Sequence, residues 1–268
     1  MSRPAPMLWL LLRNEISKAL RRKLPYFGLA IVSLLAGIVY VIAPQLSNAS
    51  TANAWGYVGF SMQMLFSDLG LIFIVVFATM MLAEETGTGT IRAALAAPIH
   101  RWELYCAKAL TCLLYAVAVS AVALLVSIAL AKVHYDFSAV GDNFGTVYDR
   151  GTALRNFALA YALSLVPLWA LAFYGLFIST LIRTPGAAVA VGISLVYLVD
   201  FTKHLVGLDP YIFTRYIGYP WMMVQQLAQG VDYQWLPETW KLLGLSGIYA
   251  VAAFTAGLVI FLRQDLND

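Results

Sequence analysis

Long apolar runs, separated by short polar stretches, dominate the pattern of hydrophobic and polar positions along this chain. The runs do not alternate apolar and polar residues as membrane β-strands do, so they predict α-helices. A helix needs about 17–25 mostly apolar residues to cross a bilayer. Six stretches meet that length. They are Pro25–Pro44, Tyr57–Ala83, Ala109–Ala131, Asn156–Ile182, Thr184–Phe201 and Leu242–Leu262.

Segment 7–23, before the first span, places most of its apolar residues on one helical face and most of its basic residues off that face. Such a basic amphipathic helix is typical of a segment that lies in the membrane interface. A solvated basic tail that only sets the topology is the alternative, and the apolar face favours the interfacial helix. This face consists of Leu8, Leu11, Leu12, Ile16, Ala19 and Leu20.

The composition places the chain among membrane proteins. Hydrophobic residues make up 61% of its 268 positions and charged residues 12%, whereas soluble domains carry about 25% charged residues. A water-soluble chain of this length could not bury so much apolar surface in one core. We therefore predict an all-α membrane protein with a single transmembrane domain over residues 1–268, surrounded by membrane lipids. The sequence has no basic stripe interleaved with aromatic residues, so no nucleic-acid partner is predicted.

The distribution of Lys and Arg predicts the orientation, because basic loops stay in the cytoplasm. With six spans both termini share one side, and that side carries eleven of the 17 basic residues. We therefore expect a multi-pass protein of the cytoplasmic (inner) membrane with both termini in the cytoplasm. Only the turn at Arg183 separates the fourth and fifth spans, which are predicted to form a tight hairpin. The eleven residues are Arg3, Arg13, Lys18, Arg21, Arg22, Lys23, Arg92, Arg101, Lys108, Arg183 and Arg263.

Two segments lie on the predicted external side. The longer one, 202–241, is rich in Tyr, Trp and Pro, which favours short re-entrant helices at the level of the lipid headgroups. A folded external loop with an aromatic belt is the alternative. The shorter one, 132–155, is polar and contains glycine, so we predict a solvated loop.

The cytoplasmic stretch 84–108 carries the candidate functional residues. Two carboxylates end the second span, and the Gly87–Thr90 stretch breaks the helix. A threonine there can cap a short new helix, which Pro98 ends. A short helix held between two spans is suited to pass movement from a soluble partner into the membrane. An ordinary connector between two spans is the alternative.

This stretch resembles the characteristic region of ABC-2-type permeases, the transmembrane subunits of ATP-binding-cassette exporters. In that family a span ends in Glu, a Gly-Thr element follows, and a short coupling helix ends near Pro-x-x-Arg and a Lys. The elbow helix at 7–23, the six spans and the long external segment before the last span also match the family's layout. The chain departs from the pattern at Cys106-Ala107, where the family often has Gly before its Lys. The matching positions are Glu84, Glu85, Gly89, Thr90, Pro98, Arg101 and Lys108.

The resemblance implies a non-catalytic permease that pairs with a second permease copy, identical or related, and docks a separate ABC ATPase. ATP and Mg²⁺ would bind to that ATPase, and this chain would hold no cofactor. The resemblance also implies export, and the external aromatic segment favours an amphiphilic or lipid-like cargo. The residues implied in ATPase coupling are Glu84, Glu85, Gly89, Thr90, Ile91, Arg92, Pro98 and Arg101.

The sequence lacks motifs for catalysis or metal binding. It has no Walker A motif for nucleotide phosphates, no serine-hydrolase elbow, and no metal-ligand spacing among its three histidines. Cys106 and Cys112 fall on different faces of one predicted helix, so we expect no disulfide between them. An ion-coupled secondary transporter is one alternative, but it would need charges near the bilayer centre. A non-transporting anchor, or a mechanical transmitter acting on a periplasmic partner, is another.

Overall fold

The structure, a computed structural model, describes residues 7–46, 53–91, 99–142, 145–231 and 235–264. Within these ranges the chain is mostly helical and contains one hairpin of two short β-strands. The α-helices are α1 (Met7–Arg21), α2 (Lys23–Leu46), α3 (Ala54–Met64), α4 (Gly70–Gly87), α5 (Arg101–His134), α6 (Arg150–Leu181), α7 (Pro185–Val206), α8 (Tyr219–Ala228) and α9 (Leu236–Arg263). The strands are β1 (Val140–Asp142) and β2 (Gly145–Tyr148).

The number of predicted spans is confirmed, since six helices of the described ranges are long and apolar enough to cross a membrane. The fourth and fifth spans are joined as tightly as predicted, because α6 ends at Leu181 and α7 begins at Pro185. Cys106 and Cys112 are both free, as predicted. The spans are Lys23–Gln45, Gly70–Gly87, Arg101–His134, Arg150–Leu181, Pro185–Lys203 and Pro237–Arg263.

The predicted second span consists of two helical segments joined by a π-helical turn. α3 continues through the wide turn Leu65–Leu69 into α4. Gly70 permits this turn, because a Cβ at this position would lie only 2.5 Å from the carbonyl oxygen of Leu65. The predicted span Tyr57–Ala83 therefore contains a π-helical turn that the sequence pattern did not indicate.

The centre of the bundle is formed by α4 and α6. In the most apolar stretch of each of these two helices 61% of the residues are buried, whereas the share is 17% in α7 and in α9. Glycines let α6 and α7 approach α4 closely. A Cβ on Gly175 would lie 2.7 Å from the Ala78 Cβ, and one on Gly192 would lie 2.7 Å from the Thr79 Cγ2. Close packing by small residues is typical of helices in bilayers. It leaves the middle of the helix bundle filled with side chains.

Helices from both ends of the chain meet at one end of the bundle, which we call the terminal end. Lys108, near the start of α5, lies 2.8 Å from Glu15 of α1. Arg101, at the first position of α5, donates to the carbonyl oxygen of Gln264, the residue after α9, at 2.7 Å. α1 and the end of α9 therefore lie at the same end of the bundle, in agreement with an even number of crossings. That this side is cytoplasmic stays a prediction from the basic residues.

At the opposite end, which we call the far end, segment 132–155 is more structured than predicted. β1 and β2 pair antiparallel, and Val140 is buried. The Trp55 indole donates to the carbonyl oxygen of Ser138 at 3.0 Å. The Asp149 carboxylate accepts a hydrogen bond from a backbone N–H in the first turn of α6 at 3.0 Å and caps that helix. Most of the described residues between α5 and α6 are exposed, as expected of a solvated loop, and the aromatic surface of α3 orders part of the segment.

Segment 202–241 contains short helices, as predicted. Two 3₁₀ turns, Asp209–Tyr211 and Phe213–Tyr216, precede α8. α8 packs against α3 and α6, and its fully buried Trp221 contacts the ring of Phe157 in α6. The short helices therefore cover the far ends of two spans. Their position relative to the lipid headgroups stays a prediction.

Candidate functional site

The Gly-Thr stretch after Glu85 ends α4 as the sequence predicts. The backbone N–H and the hydroxyl of Thr88 both donate to the carbonyl oxygen of Glu84, at 3.0 and 2.7 Å. Gly89 follows with φ of +71°, a left-handed conformation that glycine adopts without strain. Gly87 has a different role, because a Cβ on it would lie 2.8 Å from the carbonyl oxygen of Arg183. Gly89 thus ends the helix, and Gly87 permits close contact with the α6–α7 connection.

The predicted coupling helix starts in this stretch but lies mostly beyond the part of the chain that the structure describes. The Thr90 hydroxyl donates to the carbonyl oxygen of Glu85 at 3.4 Å, and Ile91 is buried. Arg92 and Pro98 lie outside the described residues. The start of the coupling segment is therefore held against the last turn of α4.

Four charged side chains meet where α1, α4 and α5 approach one another. They are Glu15, Lys18, Glu85 and Lys108, which we call the charge cluster. Lys108 Nζ lies 2.8 Å from Glu15 Oε2 and 2.8 Å from Glu85 Oε2. Lys18 Nζ lies 2.7 Å from Glu15 Oε1 and 3.1 Å from Glu85 Oε1. Each carboxylate therefore contacts both ammonium groups, and the four charges sum to zero.

Three members of the charge cluster are buried. The side chain of Lys108 is 0% exposed, that of Glu15 3% and that of Glu85 7%, whereas Lys18 is 37% exposed. Taking an ion out of water costs several kcal/mol, so a buried ion needs close partners that compensate. The carbonyl oxygen of Met81 gives Lys108 a further contact at 3.2 Å. The cluster can hold α1 against α4 and α5 only while its charges are balanced.

The pKa values of Glu15 and Lys18 indicate that the cluster favours its charged state. Burial by itself would raise the pKa of Glu15, but the charges and hydrogen bonds of Lys108 and Lys18 outweigh burial and hold this pKa below its usual value. Burial by itself would lower the pKa of Lys18, but the carboxylates of Glu15 and Glu85 outweigh burial and raise this pKa. Both side chains are therefore ionised at neutral pH.

Two further contacts connect helices at the terminal end. Arg22 Nη1, in the turn between α1 and α2, lies 2.7 Å from Glu84 Oε2. On another side of the bundle, Gln264 accepts from Arg101 and donates through its side-chain amide to the carbonyl oxygen of Thr180 at 2.5 Å. The first contact ties α4 to the elbow. The second joins the start of α5 to the ends of α6 and α9.

The sequence-predicted site residues are brought together only in part. Glu84 contacts the turn between α1 and α2 and Glu85 contacts α1, whereas Arg101 contacts Gln264. Because Glu85 is buried, it can reach a docked partner only through its neighbours. The ATPase-coupling role of these residues stays a prediction.

Sequence reasoning missed Glu15, and it matched Lys108 to the family pattern without predicting its buried carboxylate partners. A signal for Glu15 was present, because it falls on the apolar face of α1, three residues after Leu12 and four before Ala19. A carboxylate on an apolar face is costly to bury without a cation. Its position therefore indicated a buried cationic partner from another helix.

Within the described ranges, His, Cys, Asp and Glu side chains form no group of three or more that could hold a metal ion. The charge cluster has a lysine between its carboxylates instead. What this arrangement offers is mechanical, since it fixes three helices to one another beside the exposed residues 87–90.

Comparison with known proteins adds one finding. A family model described as "ABC-2 family transporter protein" matches residues 11–200 of the chain. The matched stretch contains the whole charge cluster and extends into α7. A comparison with curated proteins gave no match.

Proposed function

The chain belongs to the ABC-2 family of transporter proteins, and from this membership we propose that a separate ABC ATPase drives it to export a substrate. Its six apolar helices and its family make it a transmembrane permease. In this proposal ATP and Mg²⁺ bind to the partner, and the chain described above supplies the membrane pathway and the docking surface.

The observation that carries the proposal is the charge cluster beside the α4–α5 connection. An ATPase that docks on this connection would act on both helices at once, because the connection joins the last turn of α4 to the first turn of α5. The cluster adds α1 to the same unit through contacts of 2.7–3.1 Å. Packed elements that shift together are a common means of transmitting a switch.

A second set of contacts would spread such a movement across the bundle. Arg101, Gln264 and Thr180 link α5 to α9 and α6. α6 is one of the two central helices, and it packs directly on α4. Closure of an ATPase dimer bound at the terminal end would therefore move the central helices α4 and α6 as well as the helices at the surface of the bundle.

We place the transport pathway between this chain and a second permease copy. The close contacts of Gly175 and Gly192 with α4 fill the centre of the single bundle. α7 and α9 expose most of their apolar surface, which leaves them free to face a second copy or lipid. Such a pathway would suit an amphiphilic cargo that enters from the membrane, as the aromatic segment at the far end also favours.

Co-purification tests the proposal. The chain is co-expressed with an ABC ATPase of the same cell, and the complex is isolated in mild detergent. We expect the ATPase to remain bound, and replacement of residues 92–97 by Gly and Ser to abolish its binding. The same replacement of residues 232–234, which lie outside the predicted coupling region 84–108, serves as the control and should retain the ATPase. The proposal is wrong if the 92–97 variant captures as much ATPase as the unchanged chain.

Single substitutions test the assigned coupling residues in the same assay. Glu84→Ala and Arg101→Ala should each lower the ATPase activity of the complex, because each removes a contact that holds the docking segment in place. Lys241→Ala, at the far end, should leave that activity unchanged. Unchanged activity in the first two variants would remove these residues from the coupling site. A complex that hydrolyses ATP but exports no tested cargo would favour the mechanical transmitter.

A further inference from the structure

An apolar groove lies beside the elbow, where α1 turns into α2. Its volume is about 210 Å³, and α1, α2, α4 and α5 all contribute to its walls. Leu20, Tyr26 and Leu114 are each about half exposed at its rim. Because exposed apolar side chains of membrane-spanning helices face lipid, the groove opens sideways into the bilayer. The lining residues include Ile16, Ala19, Leu29, Phe77, Tyr115 and Ala118.

Three consecutive basic residues lie in the chain between two lining residues of this groove. Arg21, Arg22 and Lys23 lie between Leu20 and Leu24 in the chain, and Leu20 and Pro25 are both lining residues. Arg22 is paired with Glu84 at 2.7 Å. Arg21 and Lys23 are exposed, and neither has an ion-pair partner among the residues that the structure describes. Two exposed cations thus lie within four residues of groove-lining positions in the chain and are available to an anion.

We propose that the elbow groove binds an anionic phospholipid of the leaflet at the terminal end, with one acyl chain in the groove and the headgroup at Arg21 and Lys23. The apolar walls suit a hydrocarbon chain, since they offer few partners to polar groups. The volume is below the roughly 300–1,000 Å³ of sites for drug-sized ligands. It therefore fits part of a single acyl chain. Basic residues next to a span attract anionic headgroups.

Charge argues against a second copy of this chain as the occupant. In a two-fold interface the same patch of both copies is buried, so near the axis Arg21 and Lys23 would face the same cations of the other copy. A lipid phosphate neutralises them instead. The proposal requires only that the helices cross a membrane, and it does not depend on the ATPase.

Lipid titration followed by native mass spectrometry tests the headgroup site. Delipidated protein in detergent is titrated with phosphatidylglycerol or with phosphatidylcholine, and the bound lipid is counted. We expect tighter binding of phosphatidylglycerol. Arg21→Gln combined with Lys23→Gln should weaken that binding by about tenfold and leave phosphatidylcholine binding unchanged. Arg13→Gln combined with Arg263→Gln is the control, because it removes the same charge at the terminal end of the bundle. This variant should bind phosphatidylglycerol and phosphatidylcholine as the unchanged protein does.

Filling the groove tests the acyl-chain site separately. Ala118→Phe should lower the binding of both lipids, and Leu114→Trp, at a half-exposed rim position, serves where the first variant does not fold. Ile248→Trp, at an exposed position of α9, should bind both lipids normally. The proposal is overturned if the protein binds the two lipids equally, or if the Arg21/Lys23 variant binds phosphatidylglycerol as tightly as the unchanged protein. It is also overturned if the variants with a filled groove bind lipid normally. A changed dimer fraction with unchanged lipid binding would identify a second copy as the occupant, and would overturn it as well.

Discussion

Lys108 is the residue on which the charge cluster depends most, because it lies between two buried carboxylates. Lys108→Met keeps much of the side-chain length and removes the charge. Breaking a buried ion pair from one side costs about 3–5 kcal/mol, so we expect the purified variant to unfold at a clearly lower temperature in detergent. Lys241→Met breaks an exposed pair with Glu238, and it should leave the unfolding temperature nearly unchanged.

A double-mutant cycle measures the interaction between Lys108 and Glu85 directly. Glu85→Gln removes one of the two carboxylates that contact Lys108. The combined variant should lose less stability than the sum of the two single variants, because the second change neutralises a charge that the first has left unpaired. Strictly additive losses would contradict the contact between the two side chains.

The lowered pKa of Glu15 predicts that acid weakens the attachment of α1. A carboxyl group whose pKa is lower in the folded state stabilises the fold above its unfolded pKa of about 4.3. That stability is lost as the pH falls through the folded pKa. The raised pKa of Lys18 acts in the opposite sense, and its contribution is lost only as the pH rises above roughly 10.4.

We therefore expect the unfolding temperature to be nearly flat between about pH 5 and 9 and to fall in acid. Glu15→Gln should lower the unfolding temperature at neutral pH and reduce its further fall in acid. Thermal unfolding measured across this range checks both parts. If the unfolding temperatures of the unchanged protein and of Glu15→Gln fall in parallel as the pH is lowered, the acid sensitivity belongs to groups other than Glu15.

At the residue scale the sequence predicted half of the site. The two carboxylates at the end of the second span were visible, because they interrupt an apolar run. The contacts of Lys18 with Glu85 and of Lys108 with Glu15 were not visible, because the two residues are 67 positions apart in the first pair and 93 in the second. Helical periodicity reports which face a residue occupies, but it does not report which other helix packs on that face.

At the scale of the elements, the spans were predictable because length and apolarity are local properties of the sequence. The features that the sequence did not predict depend on contacts between distant residues or on local backbone geometry. The hairpin within 132–155 packs on Trp55 of α3. The π-helical turn depends on how closely Gly70 approaches the carbonyl oxygen of Leu65.

The contact between α4 and α6 gives a prediction for a pair of elements. A Cβ on Gly175 would lie 2.7 Å from the Ala78 Cβ and 3.3 Å from the carbonyl oxygen of Val75. Gly175→Val should therefore force the two helices apart and lower the stability by about 1–3 kcal/mol. Gly247→Val is the matched control, because a Cβ on this helical glycine would meet nothing within 4 Å. Equal unfolding temperatures for both variants would contradict the close packing.

At the scale of the whole molecule, the contacts of the terminal end join helices from both halves of the chain. The charge cluster connects α1, α4 and α5, and the Arg101–Gln264 contact adds α9. The far end is held by other means, including the Trp221 packing of α8. A force applied at the terminal end would thus reach helices that are far apart in the sequence.

The side of the membrane on which the terminal end lies gives the last prediction. That end carries eleven of the 17 Lys and Arg residues in the predicted topology, so it should be cytoplasmic. In a background with Cys106 and Cys112 replaced by Ala, a membrane-impermeant maleimide applied to intact cells should label Asp136→Cys at the far end. Arg13→Cys should be labelled only after the membrane is opened. Labelling of Arg13→Cys in intact cells would invert the topology, and it would place the proposed ATPase docking surface on the wrong side of the membrane.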